Sequence, residues 1–282
     1  MLFLSSLTQK SKSLVMKKSS VIILFVTSLL FVFNCTTKSD EKKPNKSAMN
    51  SLGLIGGLSW HSTLDYYTAI NESVNSHFGN NTNPPLLIYN INQAEIHRFQ
   101  KEDKWDSIAY LLSQAGLKLK KAGADAVIFC ANTPHKVYNQ VQKDLNETPI
   151  IHIGDATAKV IKNDSVDKVG FIGTKYSMED DFITKRIKNN NIEVIVPKDI
   201  TTINELQRII AEELTYGIIK PESKAYVITV LQEMINEGAK GIVLGCTEFP
   251  LMILKDDLSV PLFNTTLIHS KVAVNFILNS DN

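Results

Sequence analysis

The sequence states its own plan twice. Gly53-Leu54-Ile55-Gly56 returns as Gly170-Phe171-Ile172-Gly173, a shift of 117 residues. Gly123-Ala124-Asp125-Ala126-Val127-Ile128-Phe129 returns as Gly238-Ala239-Lys240-Gly241-Ile242-Val243-Leu244, a shift of 115. Pro149-Ile150-Ile151 returns as Pro261-Leu262-Phe263. Three motifs in one order at nearly one shift point to a duplicated unit. Within each copy, short apolar runs alternate with longer amphipathic stretches. The runs Leu52–Ile55, Leu86–Tyr89, Ala126–Phe129 and Ile150–Ile151 read as strands, as do Val169–Ile172, Glu193–Val196, Ile242–Leu244 and Leu262–Phe263. Lys104–Lys121 and Ile203–Leu214 read as helices between them. Such alternation implies parallel sheets joined by crossover helices. The expected fold is therefore α/β, with two pseudo-symmetric α/β domains, each on a parallel sheet, and an active-site cleft between them. Residues 51–151 plus 264–282 form the first domain in this reading and 152–263 the second.

Ligands of open α/β sheets gather at the carboxyl ends of the strands. The run Ile242-Val243-Leu244 stops at Gly245 and then presents Cys246, Thr247 and Glu248. The 115-residue shift sets Ala131 opposite Cys246, Asn132 opposite Thr247 and Thr133 opposite Glu248. Cys130 matches Gly245, one residue out of register, which on a strand means the opposite face. Thr247 stands where it can cap a following helix. The free N–H groups of such a helix attract anions, an electropositive setting that favours a thiolate at Cys246.

Facing groups across a cleft suit proton removal from one face of an amino acid and proton return on the other, which inverts the α-carbon. Thiolates do this without a cofactor when the site lowers their pKa and stabilises the carbanion. Cys246 is the expected acid/base. Cys130 reads as a small buried residue that reaches the cleft only if the backbone twists at Ala131. Ser59, Asn132, Thr133 and Thr247 are expected to hold substrate carboxylates, helped by Thr63 and by the glycines of Gly53-Leu54-Ile55-Gly56-Gly57. Glu248 is placed to orient Thr247, to take a proton or to meet the substrate ammonium. His135, after Pro134 at a helix start, either supports the site or lies on the surface, and His152 and His269 are similar cases. Tyr66 and Tyr67 read as core residues of the first helix. The glycine turn lacks the endings of phosphate and dinucleotide loops. None of the six histidines is spaced as a metal-ligand pair. No lysine falls inside an expected strand, where burial would prepare it for a Schiff base. No metal and no cofactor are expected.

The chain has 282 residues, 44% of them hydrophobic and 21% charged, with a net charge of +1. That fits one or two ordinary globular domains and speaks against nucleic acid as a partner. Cysteines at 35, 130 and 246 do not form a disulfide framework. The N-terminus has a separate logic. Met16-Lys17-Lys18 precedes an apolar run from Val21 to Phe33, which is short for a membrane span and suited to a signal-peptide core. The run closes at Leu30-Phe31-Val32-Phe33-Asn34-Cys35, which resembles a bacterial lipoprotein signal. That resemblance implies a lipoprotein-type signal over residues 1–35, with a start at Met1 or Met16, in which Cys35 is lipidated and becomes the mature N-terminus of a lipid-anchored protein of the cell envelope, outside the cytoplasm. An unused signal would leave it cytoplasmic. Residues 36–50 are polar and read as a flexible tether.

Four motifs carry a further resemblance. Gly53-Leu54-Ile55-Gly56-Gly57-Leu58-Ser59-Trp60-His61-Ser62-Thr63 with Tyr66-Tyr67 is similar to the opening motif of the aspartate/glutamate racemase family. Asn132-Thr133-Pro134-His135-Lys136 resembles its first catalytic loop, and Gly245-Cys246-Thr247-Glu248 its second. Gly173-Thr174 with Met178-Glu179-Asp180-Asp181-Phe182 resembles the opening of its second domain. The likeness covers nearly all of residues 51–280. It implies two pseudo-symmetric domains and cofactor-independent racemisation of an acidic amino acid, aspartate or glutamate, with a homodimer as the family's usual assembly. The sequence departs from the family where a cysteine or threonine precedes the Asn-Thr of the first loop, because Ala131 stands there. It also has His61 in place of a common glutamate and Asn264 in place of a frequent aspartate. With a methyl group at 131, the acid opposite Cys246 is left to Cys130, a water or Thr133. Two alternatives follow: a one-cysteine isomerase or decarboxylase of the same superfold, and an amino-acid-binding lipoprotein that has lost its chemistry.

Overall fold

A computed structural model of the protein describes residues 49–280. The signal segment, Cys35 and the tether through residue 48 lie outside the described residues. Two parallel sheets form the frame. In the first, β1 (Leu52–Gly56) lies between β2 (Leu86–Asn90) and β3 (Ala126–Phe129). In the second, β4 (Lys168–Gly173) and β6 (Ile242–Gly245) are central, flanked by β5 (Glu193–Ile195) and β7 (Leu262–Asn264).

The duplication reaches the level of strand register. Gly53 pairs with Val127 in the first sheet and Gly170 with Ile242 in the second, positions that correspond at the shifts seen in the sequence. The expected strand Ile150–Ile151 shrinks to one parallel bridge, Val127 with Ile150, while its counterpart Ile242 with Leu262 opens a three-residue ladder. Strands β1, β3 and β6 are buried along their whole length, as parallel strands covered on both faces must be. Lys168 opens β4, so one lysine does enter a strand. It sits at the amino end, away from the ligand edge, and pairs with Glu193 at 2.9 Å.

Helices α1 (Trp60–Phe78), α2 (Gln93–Lys101), α3 (Trp105–Lys121), α4 (Tyr138–Leu145) and α5 (Ile153–Asn163) follow in the first half and at its end. Short helices α6 (Lys175–Glu179) and α7 (Thr184–Lys188) precede α8 (Ile200–Glu212), α9 (Pro221–Asn236) and the C-terminal α10 (Thr265–Ile277). Side-chain caps set several starts: Ser59 for α1, Asp199 for α8 and Asn264 for α10 each accept from first-turn backbone N–H groups. The apolar core of the second sheet draws on residues from Ile153 to Phe263. Ala273, Val274 and Ile277 of α10 pack instead with Leu52, Leu54 and Tyr66 of the first sheet and its helix. Asn50, polar and expected in the tether, bonds through its backbone N–H to the Ile277 carbonyl at 2.8 Å and through its amide to Phe276. The ordered fold therefore takes in Met49 and Asn50.

Tyr66 is fully buried, whereas Tyr67 is 47% exposed and so is not a core residue. A helix turns successive residues by about 100°, and only one of the pair can face the sheet. The Tyr66 hydroxyl lies 2.8 Å from His269 Nδ1, and His269 Nε2 lies 2.9 Å from the Ile151 carbonyl. A carbonyl only accepts, so the proton is on Nε2 and the tyrosine donates to Nδ1. Tyr66→Phe leaves that buried nitrogen without a partner. It is expected to cost about 1–3 kcal/mol, read as a lower urea midpoint with an unchanged slope.

Candidate active site

The carboxyl ends of β1, β3, β4 and β6 converge on a cavity of about 110 Å³. Ala131, Asn132 and Thr133 enter it from one half, and Cys246, Thr247 and Glu248 from the other. Ser59, at the start of α1, lines it as well. The positions that the shift sets opposite one another thus share one cavity. Its volume is below the roughly 300 Å³ at which drug-sized sites begin, and suits a small metabolite.

Cys246 is 4% exposed. Its thiol donates to Glu248 Oε2 at 2.8 Å, and the Thr247 hydroxyl donates to the same oxygen at 2.7 Å. Burial, and then the Glu248 charge, push the thiol well above its ordinary value, so the resting group is S–H. This reverses the expected electropositive setting. The reason lies in the turn: no α-helix follows, only the 3-10 segment Phe249–Leu251, preceded by Glu248 and without a side-chain cap. Thr247 caps nothing and orients the carboxylate instead.

Cys130 is fully buried among Leu54, Tyr66 and Ile70, and does not line the cavity. Its amide N–H donates to the Ile55 carbonyl at 3.0 Å and its carbonyl accepts from the Ser62 hydroxyl at 2.7 Å, so the backbone is held with the side chain in the core. Burial alone pushes this thiol far above its ordinary value. The geometry leaves Cys130 no part in cleft chemistry.

Asn132 lines the cavity as expected and has a second feature. Its amide donates to Thr265 Oγ1 at 3.1 Å, and that hydroxyl is committed to the Leu244 carbonyl at 2.9 Å. Thr265 must then accept from Asn132, which fixes the amide orientation and leaves Oδ1 as a buried acceptor without a partner. Oδ1 suits a ligand N–H, while Thr265 takes only one of the two Nδ2 protons, so the amide can still donate the other to a carboxylate. Thr133 shares a 3.0 Å hydrogen bond with Thr174 across the cavity wall. The glycine turn is spent on structure: the Gly57 N–H donates to Thr63 Oγ1 at 3.0 Å, and Thr63 in turn donates to the Ser59 carbonyl. Ser59 Oγ accepts from Ser62 N at 3.4 Å, which leaves its own proton available to the cavity.

The motifs did not decide whether His135 supports the first loop or lies on the surface. His135 is buried, with Nδ1 at 3.1 Å from the carbonyls of both Ala131 and Asn132 and Nε2 accepting from Ile153 N at 3.2 Å. It is a neutral strut for the loop, held well below the usual histidine range by burial first. Its ring packs 4.5 Å from His152 and 5.8 Å from His269, a cluster built from three distant segments. Nor did the sequence single out His97 and Tyr176, which line the cavity from α2 and α6. Their only signal is proximity to the strand ends, which requires the fold. Among the described residues, no group of three or more His, Cys, Asp or Glu is placed to hold a metal ion.

Comparison with known proteins bears on the family and the fold. A family model described as Asp/Glu/Hydantoin racemase matches residues 55–273. The broad specificity amino-acid racemase RacX of Bacillus subtilis (strain 168) is 23% identical over 233 residues, covering 80% of this chain and 98% of its own. An aspartate racemase homologue from Pyrococcus horikoshii OT3 superposes with a TM-score of 0.71 at 37% identity, covering 81% of this chain and 99% of that one. A Yersinia pestis protein of Asp/Glu racemase type gives a TM-score of 0.77 at 41% identity, with coverage of 82% and 100%. On the extent of these matches and the two-sheet architecture they share with it, the chain belongs to the Asp/Glu/hydantoin racemase family.

Proposed function

We propose that the protein racemises an acidic amino acid, aspartate or glutamate, without a cofactor, with Cys246 exchanging the α-proton. The observation that carries this reading is the Cys246–Glu248 hydrogen bond at the end of β6, inside a small cavity shared with Asn132, Thr133 and Ser59. Glu248 holds the thiol protonated and ready to donate, and can take its proton when the reverse direction needs a thiolate. Asn132 Oδ1 is a seat for the substrate ammonium. Ser59 and the amides of Gln93, Gln100 and Gln207 offer neutral donors to carboxylates. Among the described residues, neither lysine nor arginine lines the cavity. A side-chain carboxylate therefore gains no ion pair, and discrimination between aspartate and asparagine is expected to be shallow, within about tenfold.

The direct test is α-proton exchange in D2O with each enantiomer of aspartate, glutamate and their amides. Exchange with inversion is the expected result, and absence of exchange on every amino acid tried would sink the reading. Glu248→Gln removes the proton acceptor and the charge that raises the Cys246 pKa. Turnover is expected to fall about 10²-fold while alkylation of Cys246 becomes faster. A merely structural Glu248 would not separate the two readouts.

Ala131 supports a second reading, a one-base isomerase or decarboxylase of a dicarboxylic acid, because no acid stands at the position opposite Cys246. Exchange without inversion selects it. Tight calorimetric binding of aspartate that survives Cys246→Ser, with no turnover in the unmodified protein, selects an amino-acid receptor instead. We further propose a lipid anchor at Cys35 and an envelope location, tested by mass spectrometry of the N-terminal peptide, and a homodimer, tested by light scattering.

A further inference from the structure

Racemisation needs a proton acceptor on the face away from Cys246, and the cavity lining is short enough to search completely. Ala131, at the position opposite, carries no exchangeable proton, and Cys130 is sealed in the core. Thr133 is an aliphatic hydroxyl bonded to Thr174. Tyr176 is a phenol whose ionisation burial opposes, and its proton is directed at the Gln100 carbonyl at 3.3 Å. Glu248 is bound to Cys246 on its own side. One group remains whose ordinary range lies near neutrality: His97, on α2 of the first half, in the lining with Ala131.

We propose that His97 is the second acid/base, working across the cavity from Cys246. The proposal rests on the racemase reading and completes it. Among the described residues, no hydrogen bond ties up either ring nitrogen of His97, so both are open to substrate or to a bridging water. The residue is exposed to solvent overall, and partial desolvation of its ring, then Lys101, hold it below the ordinary 6.5, while the Glu248 charge pulls the other way. The resting ring is neutral at pH 7 and so is a base, at the same time as Cys246 is a protonated thiol.

The resting enzyme is thus set for one direction. A neutral ring nitrogen of His97 takes the α-proton, and the C–H electron pair is delocalised into the α-carboxylate. The Cys246 thiol then gives its proton to the opposite face, and that electron pair forms the new C–H bond. The products are imidazolium and thiolate. Reaction with the opposite enantiomer restores the starting state, as does loss of the imidazolium proton to solvent together with reprotonation of the thiolate through Glu248.

The test compares His97→Ala, Cys246→Ala and the unmodified protein in D2O, each with both enantiomers separately. The unmodified protein is expected to exchange both. His97→Ala is expected to lose exchange of one enantiomer by at least about 10²-fold and keep the other, and Cys246→Ala to show the opposite selectivity. Added imidazole is expected to restore the activity lost in His97→Ala, which a structural role would not allow. The inference is overturned if His97→Ala exchanges both enantiomers at the unmodified rate, or loses both alike without rescue. Inversion-free exchange by the unmodified protein overturns it in favour of a single base. No exchange by the unmodified protein removes the racemase reading itself, a distinct result, and His97 falls with it.

Discussion

Cys246→Ala is expected to lower racemisation by about 10³-fold or more, with little change in the melting transition. The size follows from position. Among the described residues the thiol is the only sulfur lining the cavity, it is 4% exposed, and its proton points at Glu248. Removing it leaves a carboxylate without the group it prepares, and the neighbouring Thr247 hydroxyl, bonded to the same oxygen, lies too far outside the neutral range to replace a thiol. The loss is expected in kcat rather than KM, because the substrate contacts assigned here (Asn132, Ser59 and the glutamine amides) are untouched. Cys246→Ser preserves volume and is expected to be nearly as inactive, since a serine hydroxyl neither donates nor recovers a proton readily at pH 7. A loss confined to KM would move Cys246 from chemistry to binding. Cys130→Ser makes the contrast: its sulfur is fully buried in the first core, so the change is expected to lower stability and leave kcat unaltered in the folded fraction.

Much of this geometry was legible because a parallel strand is a local object. A short apolar run between glycines specifies its own burial, and a repeated run specifies its partner's register. That is why the pairing of Gly53 with Val127 reappears as Gly170 with Ile242, and why the shift placed Ala131 and Cys246 in one cavity. What escaped the sequence depends on how short turns close. Glu248 lies two residues after Cys246, and whether it caps a helix or folds back onto the thiol depends on the next segment being 3-10 rather than α. The amide of Asn132 is two-sided, and only its partner Thr265, 133 residues away, decides which way it faces. His97 and the cluster of His135, His152 and His269 come from segments with no mutual pattern in the chain. Their meaning is set by helices that the sheet brings together, and no periodicity announces it.

The largest effect on stability is expected at Gly57, where the turn after β1 must pass beneath the next segment. Its φ is +73°, and a Cβ there would lie 2.1 Å from the Ile91 carbonyl oxygen and 2.8 Å from the Ile91 nitrogen. Both obstacles are backbone, and Ile91 is itself held by its N–H bond to the Gly56 carbonyl at 2.9 Å, so neither can swing aside as a side-chain tip would. Gly57→Ala combines left-handed strain with a clash, and is expected to cost about 3–5 kcal/mol. That corresponds to a fall in Tm of roughly 10 °C for a domain of this size. Gly79 supplies the control: its φ is +68°, but a Cβ there meets nothing within 4 Å. Gly79→Ala carries only the conformational term: with ψ at −166° the backbone lies in the extended positive-φ region that is almost exclusive to glycine, and the cost is about 1–3 kcal/mol. If the two variants melt together, the turn is loose and Ile91 yields. If Gly57→Ala alone collapses, the close approach of Gly57 to Ile91 is what holds Ser59 and the start of α1 at the cavity. In that case, the surviving folded fraction should show a raised KM, since Ser59 is displaced while Cys246 and Glu248, on the other sheet, keep their bond.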